Sequence, residues 1–118
     1  MIILRTLIAA LGLALFLAMS AQAEIISPRE ANQHVGAQAT VVGVVRQVSK
    51  SGGGTTFINF GDRFPNHVFY AVIFRSRSDQ FPGVHQLQGR TVAISGEIEL
   101  YKGKPQIILR SPQQIQVQ

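Results

Sequence analysis

Between Arg90 and Leu109 the chain reads RTVAISGEIELYKGKPQIIL, and this stretch limits the available folds more than any other. From Val92 to Leu100, apolar and polar residues alternate almost without a break. Val92, Ile94, Ile98 and Leu100 are expected to point to one side, and Ala93, Ser95, Glu97 and Glu99 to the other. That period of two belongs to a strand with one buried face. Tyr101-Lys102-Gly103-Lys104 interrupts the pattern and Ile107-Ile108-Leu109 resumes it. The segment therefore predicts a β-hairpin with a basic, glycine-containing tip.

The first residues read as an address. Arg5 is followed by an apolar run from Thr6 to Met19, and Ala21-Gln22-Ala23 has the small-x-small pattern of a cleavage site. Residues 1–23 are expected to be a secretory signal peptide, cleaved before Glu24. The run is short of the ~20 apolar residues a membrane span needs. A periplasmic or secreted protein is expected, with no membrane span after cleavage. Residues 24–118 then form a single domain, too short for two. The chain has 11 basic and 6 acidic residues, and removing Arg5 leaves the excess positive. This balance suits an anionic partner without demanding one. Cysteine is absent. A small domain in an oxidising compartment often relies on disulfides, so this one depends on its packed core, which favours a closed or nearly closed architecture.

Ser27-Pro28-Arg29-Glu30 opens a short helix, with Ser27 as cap, Pro28 in the first helical position and Glu30 completing a capping box; Gly36 ends it. Thr40–Val48 is the first predicted strand, apolar on both faces near Val41 to Val45, with Gly43 marking a bend or bulge. Ser49–Gly54 is a turn. Thr55–Phe60 and Val68–Arg75 are the second and third strands, separated by the loop Gly61–Asn66. Ser76–Gln88 is polar and holds at most one or two helical turns. The hairpin supplies strands four and five, and Ile115 and Val117 can extend the tail along the sheet. The expected fold class is all-β: a five-stranded OB-fold barrel with a short N-terminal helix and a short helix or loop between strands three and four. An SH3-like barrel shares the strand count but usually lacks that insertion.

Several segments carry a family resemblance. VxGxVxxV at Val41 to Val48, FINF at Phe57 to Phe60, Pro65-Asn66, and the run from Gly89 to Leu109 resemble OB-fold nucleic-acid-binding domains of the anticodon-binding type. The sequence is similar above all to small secreted bacterial OB-fold DNA-binding proteins. The resemblance spans Ala39 to Ile115 and implies the fold more strongly than the ligand, because OB-folds bind nucleic acids, oligosaccharides and proteins. In aspartyl-type tRNA synthetases the Phe of a similar F-I-D run stacks on a base. The resemblance places Phe57 there, with Asn59 in place of the acidic residue.

OB-fold ligands usually lie across strands two and three, flanked by the loops that join strands one to two and four to five. Arg46, Lys50, Arg63, Arg75, Lys102 and Lys104 fall in or near that region. They form a candidate polyanion rim or, equally, a solvated surface. Phe57 and Asn59 share one face of strand two. An amide is costly to bury unpaired, so Phe57 and Asn59 are assigned to the wet face, and Ile58 and Phe60 to the core. Phe57 is then available for stacking, worth ~1–3 kcal/mol per base, with ordinary core packing as the alternative. Both faces of strand three are apolar; Tyr70 is placed near the ligand because its hydroxyl suits a wet edge, or else at the edge of the core.

The sequence gives little support for catalysis. Glu97 and Glu99 read as a solvated strand face. The clustered carboxylates and paired arginines of secreted thermonucleases are missing. His34, His67 and His85 form no ligand pair, and Gly52-Gly53-Gly54 lacks the Lys-Ser/Thr of a P-loop. No enzyme activity, cofactor or metal site is expected. The expected function is low-specificity binding of single-stranded DNA or RNA. The alternatives are an envelope module that binds a protein or an oligosaccharide, and an accessory domain to a secreted nuclease.

Overall fold

A computed structural model describes residues 23–118. All but the last residue of the expected signal peptide lies outside them. The described residues form a mixed β-sheet with only short 3-10 turns between its strands: β1 (Glu24–Ile26), β2 (Gln38–Lys50), β3 (Thr56–Phe60), β4 (Phe69–Ile73), β5 (Thr91–Glu97), β6 (Glu99–Tyr101), β7 (Lys104–Ile108) and β8 (Ile115–Val117). The hydrogen-bonded order is β6-β7-β4-β3-β2-β5-β8, and β1 pairs with β2. The β1–β2 and β4–β7 ladders are parallel and the others antiparallel. Among the described residues no helix is long and apolar enough to cross a membrane.

The all-β expectation holds, but eight strands stand where five are expected, and the ladder does not close. The expected fourth strand is interrupted at the buried Ile98 and so counts as both β5 and β6. Short strands add at two further places: β1 beside β2, and the expected tail extension, β8, beside β5. The N-terminal helix is a 3-10 turn, Pro28–Gln33, in which Ser27 N–H donates to Glu30 Oε1 at 3.0 Å. The expected insertion between the third and fourth strands carries two more such turns, Arg75–Gln80 and Val84–Leu87.

β2 organises the sheet. Its first half pairs with β5, from Gln38 to Val44, and its second half with β3, from Val45 to Lys50. The register shifts between Val45 and Gln47, so the irregularity sits at Arg46 and not at Gly43. Gly43 serves close approach instead: a Cβ there would meet the Pro28 ring at 2.5 Å. The core gathers Val41, Val45, Ile58, Phe60, Phe69, Ile94, Ile98, Ile107 and Leu109, all almost completely buried. Burying each such side chain contributes ~1.5–3 kcal/mol. Phe60 and Phe69 are cross-strand partners with ring centroids 5.4 Å apart.

β5 and β7 are not ladder neighbours, yet the Gln114 side chain joins them. Its Nε2 donates to Ser95 O and Ile108 O, both at 3.0 Å, while its Oε1 accepts from the N–H groups of Arg110 and Ser111 at 2.6 and 3.0 Å. Beyond Ile98 the hairpin projects past this core. Tyr101 pairs with Lys104 across a two-residue turn, with φ of 49° at Lys102 and 81° at Gly103. Positive φ at both positions is the type I′ geometry that matches strand twist. Leu100, expected in the core, is 58% exposed because it pairs with Pro105 on this projecting part.

Candidate ligand groove

The hairpin tip, the loop between β3 and β4, and the outer face of β3 and β4 enclose a groove of about 330 Å³. Five rings line it: Phe57, Phe64, His67, Tyr70 and Tyr101. Strand alternation places Phe57 and Asn59 on the same face of β3, and Tyr70 pairs with Asn59 on β4. Phe57 and Tyr70 lie 6.0 Å apart at 53°. His67 stacks on Phe64 at 5.7 Å and meets Tyr70 edge-on at 5.1 Å. Phe57, Tyr70, His67 and Phe64 thus make a continuous aromatic wall, with Tyr101 on the hairpin side of the groove and Ser49, Lys102 and Lys104 also in its lining.

Of the nine residues assigned from sequence, five line this groove: Phe57, Asn59, Tyr70, Lys102 and Lys104. Arg46 lines a separate depression with Arg29 and Gly43. Lys50 ends β2 one residue beyond the groove-lining Ser49. Arg63 is exposed in the β3–β4 loop, and the Arg75 stem packs against Gly54. These four do not line the groove. Sequence reasoning missed Phe64, His67 and Tyr101, which lie in the loop and at the hairpin tip.

Asn59 departs from expectation. It lies on the groove face beside Phe57, but it is only 2% exposed, and its Nδ2 donates to Gln47 Oε1 at 3.0 Å. Gln47 Oε1 also accepts Phe64 N–H at 2.9 Å. The Gln47 amide therefore ties the floor of the groove to the Phe64 loop, and Asn59 is held as part of that floor. Tyr70 does line the groove but is only 6% exposed. Burial, with Tyr101 nearby, raises its pKa above the usual tyrosine value, so it stays a neutral phenol at physiological pH.

The two lysines differ. Lys102 is exposed, with its ammonium 5.4 Å from the Tyr101 ring centroid. Lys104 faces the β3–β4 loop. Its Nζ donates to Pro65 O, to His67 O at 2.8 Å, and to His67 Nδ1 at 3.4 Å. An ammonium has three donors, and this one aims all three at the loop. Because Lys104 is a donor, His67 Nδ1 is the acceptor and the ring is neutral. Burial first, and the Lys104 charge second, hold the His67 pKa below the ordinary value of 6.5.

The sign of the resulting pH dependence follows. The unfolded chain takes up the His67 proton at higher pH than the folded one. The contribution of neutral His67 is complete above pH 6.5 and is lost as pH falls through the lowered folded value. Thermal melts are expected to shift downward on acidification below that point. H67Q should flatten that part of the profile; an unchanged profile would show that His67 does not carry it.

Among the described residues no group of three or more His, Asp or Glu side chains is placed to hold a metal ion. No family model matches the chain, and no curated protein matches it. Its fold is similar to that of solved structures. One is an aspartyl-tRNA synthetase from Leishmania major Friedlin, with a TM-score of 0.56 and 11% identity over 82% of this chain and 21% of that one. Another is the OBody AM1L10 bound to hen egg-white lysozyme, with a TM-score of 0.53 and 20% identity over 73% of this chain and 83% of that one. The chain thus spans about a fifth of the synthetase's length. At these identities the likeness is one of fold.

Proposed function

We propose that this protein is a non-catalytic, periplasmic or secreted OB-fold module that binds single-stranded nucleic acid with low sequence specificity. In this reading β5 and β6 are one strand interrupted at Ile98, and with β2, β3, β4 and β7 they make the five-stranded OB barrel. The address rests on the signal-like pattern of residues 1–23. The observation that carries the ligand reading is the convergence of five rings on one groove beside the exposed Lys102. Every base has a π face, so an aromatic wall of this kind is sequence-tolerant. The synthetase among the fold neighbours adds support of the same kind.

Fluorescence anisotropy with a labelled oligothymidylate tests the proposal. Binding is expected to weaken with salt, each phosphate contact contributing a slope of about 0.7 in log K against log[salt]. K102Q is expected to lower that slope by about one such unit. No binding at low salt would overturn the reading. A second reading, a protein partner, is favoured by the 70% exposure of Phe64 and the 53% exposure of Tyr101, and the OBody neighbour is itself a protein-bound module. It predicts capture that is insensitive to the K102Q change.

A further inference from the structure

The aromatic groove is not isolated. A second depression of about 290 Å³ shares His67 and Lys104 with it and is lined also by Arg29 and Asn32. A third, of about 350 Å³, shares Arg29 with the second and is lined also by Arg46. Neighbouring depressions meet at these shared residues, so the three lie in succession, a track from the Phe57 face past the hairpin and the 28–33 turn to β2.

Among the described residues no carboxylate lines any part of this track. The acidic groups nearest its far end in sequence are turned to local backbone. Glu30 Oε1 accepts Ser27 N–H, and Asp62 Oδ1 accepts Arg63 N–H at 2.7 Å. Among the described residues neither Arg29 nor Arg46 is ion-paired, and both are exposed. Lys104 is committed to the loop, so past Lys102 these arginines are the first uncommitted charges along the way. Their placement is built in. The Pro28 ring seats on Gly43, where no side chain fits, and this presses the 28–33 turn onto β2 and brings Arg29 beside Arg46.

We infer that a single strand whose bases occupy the aromatic groove continues over the Lys104–His67 ridge, and that Arg29 and Arg46 hold its phosphates as a second binding segment. This rests on the nucleic-acid reading above. It moves Arg46 from the rim of the base-binding groove to the far end of the track, and adds Arg29, which no sequence motif marked. The ligand is then a strand long enough to turn the corner, not a mono- or dinucleotide.

The test compares oligothymidylates of about 4 and about 12 nucleotides, within the range of OB-fold site sizes, on the wild-type protein and on R29Q/R46Q. The longer strand is expected to bind the wild type at least tenfold more tightly. The double variant should lose that advantage, with a salt slope lower by about 1.4, two phosphate contacts. Its affinity for the short strand should be unchanged. Equal wild-type affinity for the two lengths, or an equal effect of the variant on both, overturns the track and leaves the groove. Failure of the wild type to bind either length overturns the nucleic-acid reading and the track with it.

Discussion

A variant carrying both F57A and Y101A is expected to bind single-stranded oligonucleotide about a hundredfold more weakly than wild type, the largest effect of any substitution in the groove. Base stacking is worth ~1–3 kcal/mol per base, and ~1.4 kcal/mol is a factor of ten. Loss of two rings from facing walls therefore removes roughly 3 kcal/mol. Phe57 lies on β3 and Tyr101 at the hairpin tip, so the double change takes one surface from each side. Tyr101 is more than half exposed, and its removal should leave the melting temperature nearly unchanged. Phe57 is half-buried against Tyr70, so F57A alone also lowers stability. F57L keeps most of the buried apolar volume while removing the flat face, and should lose affinity without losing the fold. Anisotropy titrations beside thermal melts separate the two effects. Wild-type affinity in the double variant would remove the aromatic groove from the binding reaction.

Much of this arrangement is legible in the sequence, and the parts that are not share a cause. The alternation from Val92 to Ile98 marks a strand, and Val92, Ile94 and Ile98 are buried as it implies. Leu100 continues the same pattern in sequence but not in space, because the strand has by then run past the core; periodicity records a face, not what covers it. Asn59 faces the groove as read, but its burial is missed for a related reason. Its amide is correctly expected to need a partner, but that partner, Gln47, comes opposite it only through the register shift at Arg46, and hydrophobic pattern does not encode a bulge. Phe64 and His67 sit in a loop that composition identifies without saying which way it folds. Aromatic residues within the otherwise polar GDRFPNH were the available signal. Charge is the least legible of all. Lys102 and Lys104 are two residues apart and look equivalent, yet one is exposed and the other is bound to its own loop.

That difference gives the second large prediction. K104M is expected to lower stability by about 2 kcal/mol, since hydrogen bonds to charged groups contribute ~1.5–3 kcal/mol each while loop carbonyls near the surface recover part of the loss from water. For a domain of this size the melting temperature should fall by about 10 °C. Methionine keeps the aliphatic stem, so the loss is that of the ammonium. Pro65 O, His67 O and His67 Nδ1 lose their shared donor together, which releases the loop that presents Phe64 and His67. Affinity is therefore expected to fall by about tenfold, the loss of one well-placed stacking surface, with no change in salt slope. K104R should not rescue, because a planar guanidinium cannot direct its donors at three acceptors that converge on one point. K102M is expected to do the reverse: an unchanged melting temperature and a salt slope lower by about 0.7. If K104M instead melts like wild type and shows the reduced slope, Lys104 is a phosphate ligand and the loop is held by other contacts. The same positive charge thus acts through two separate physical routes two residues apart, and only the salt dependence distinguishes them.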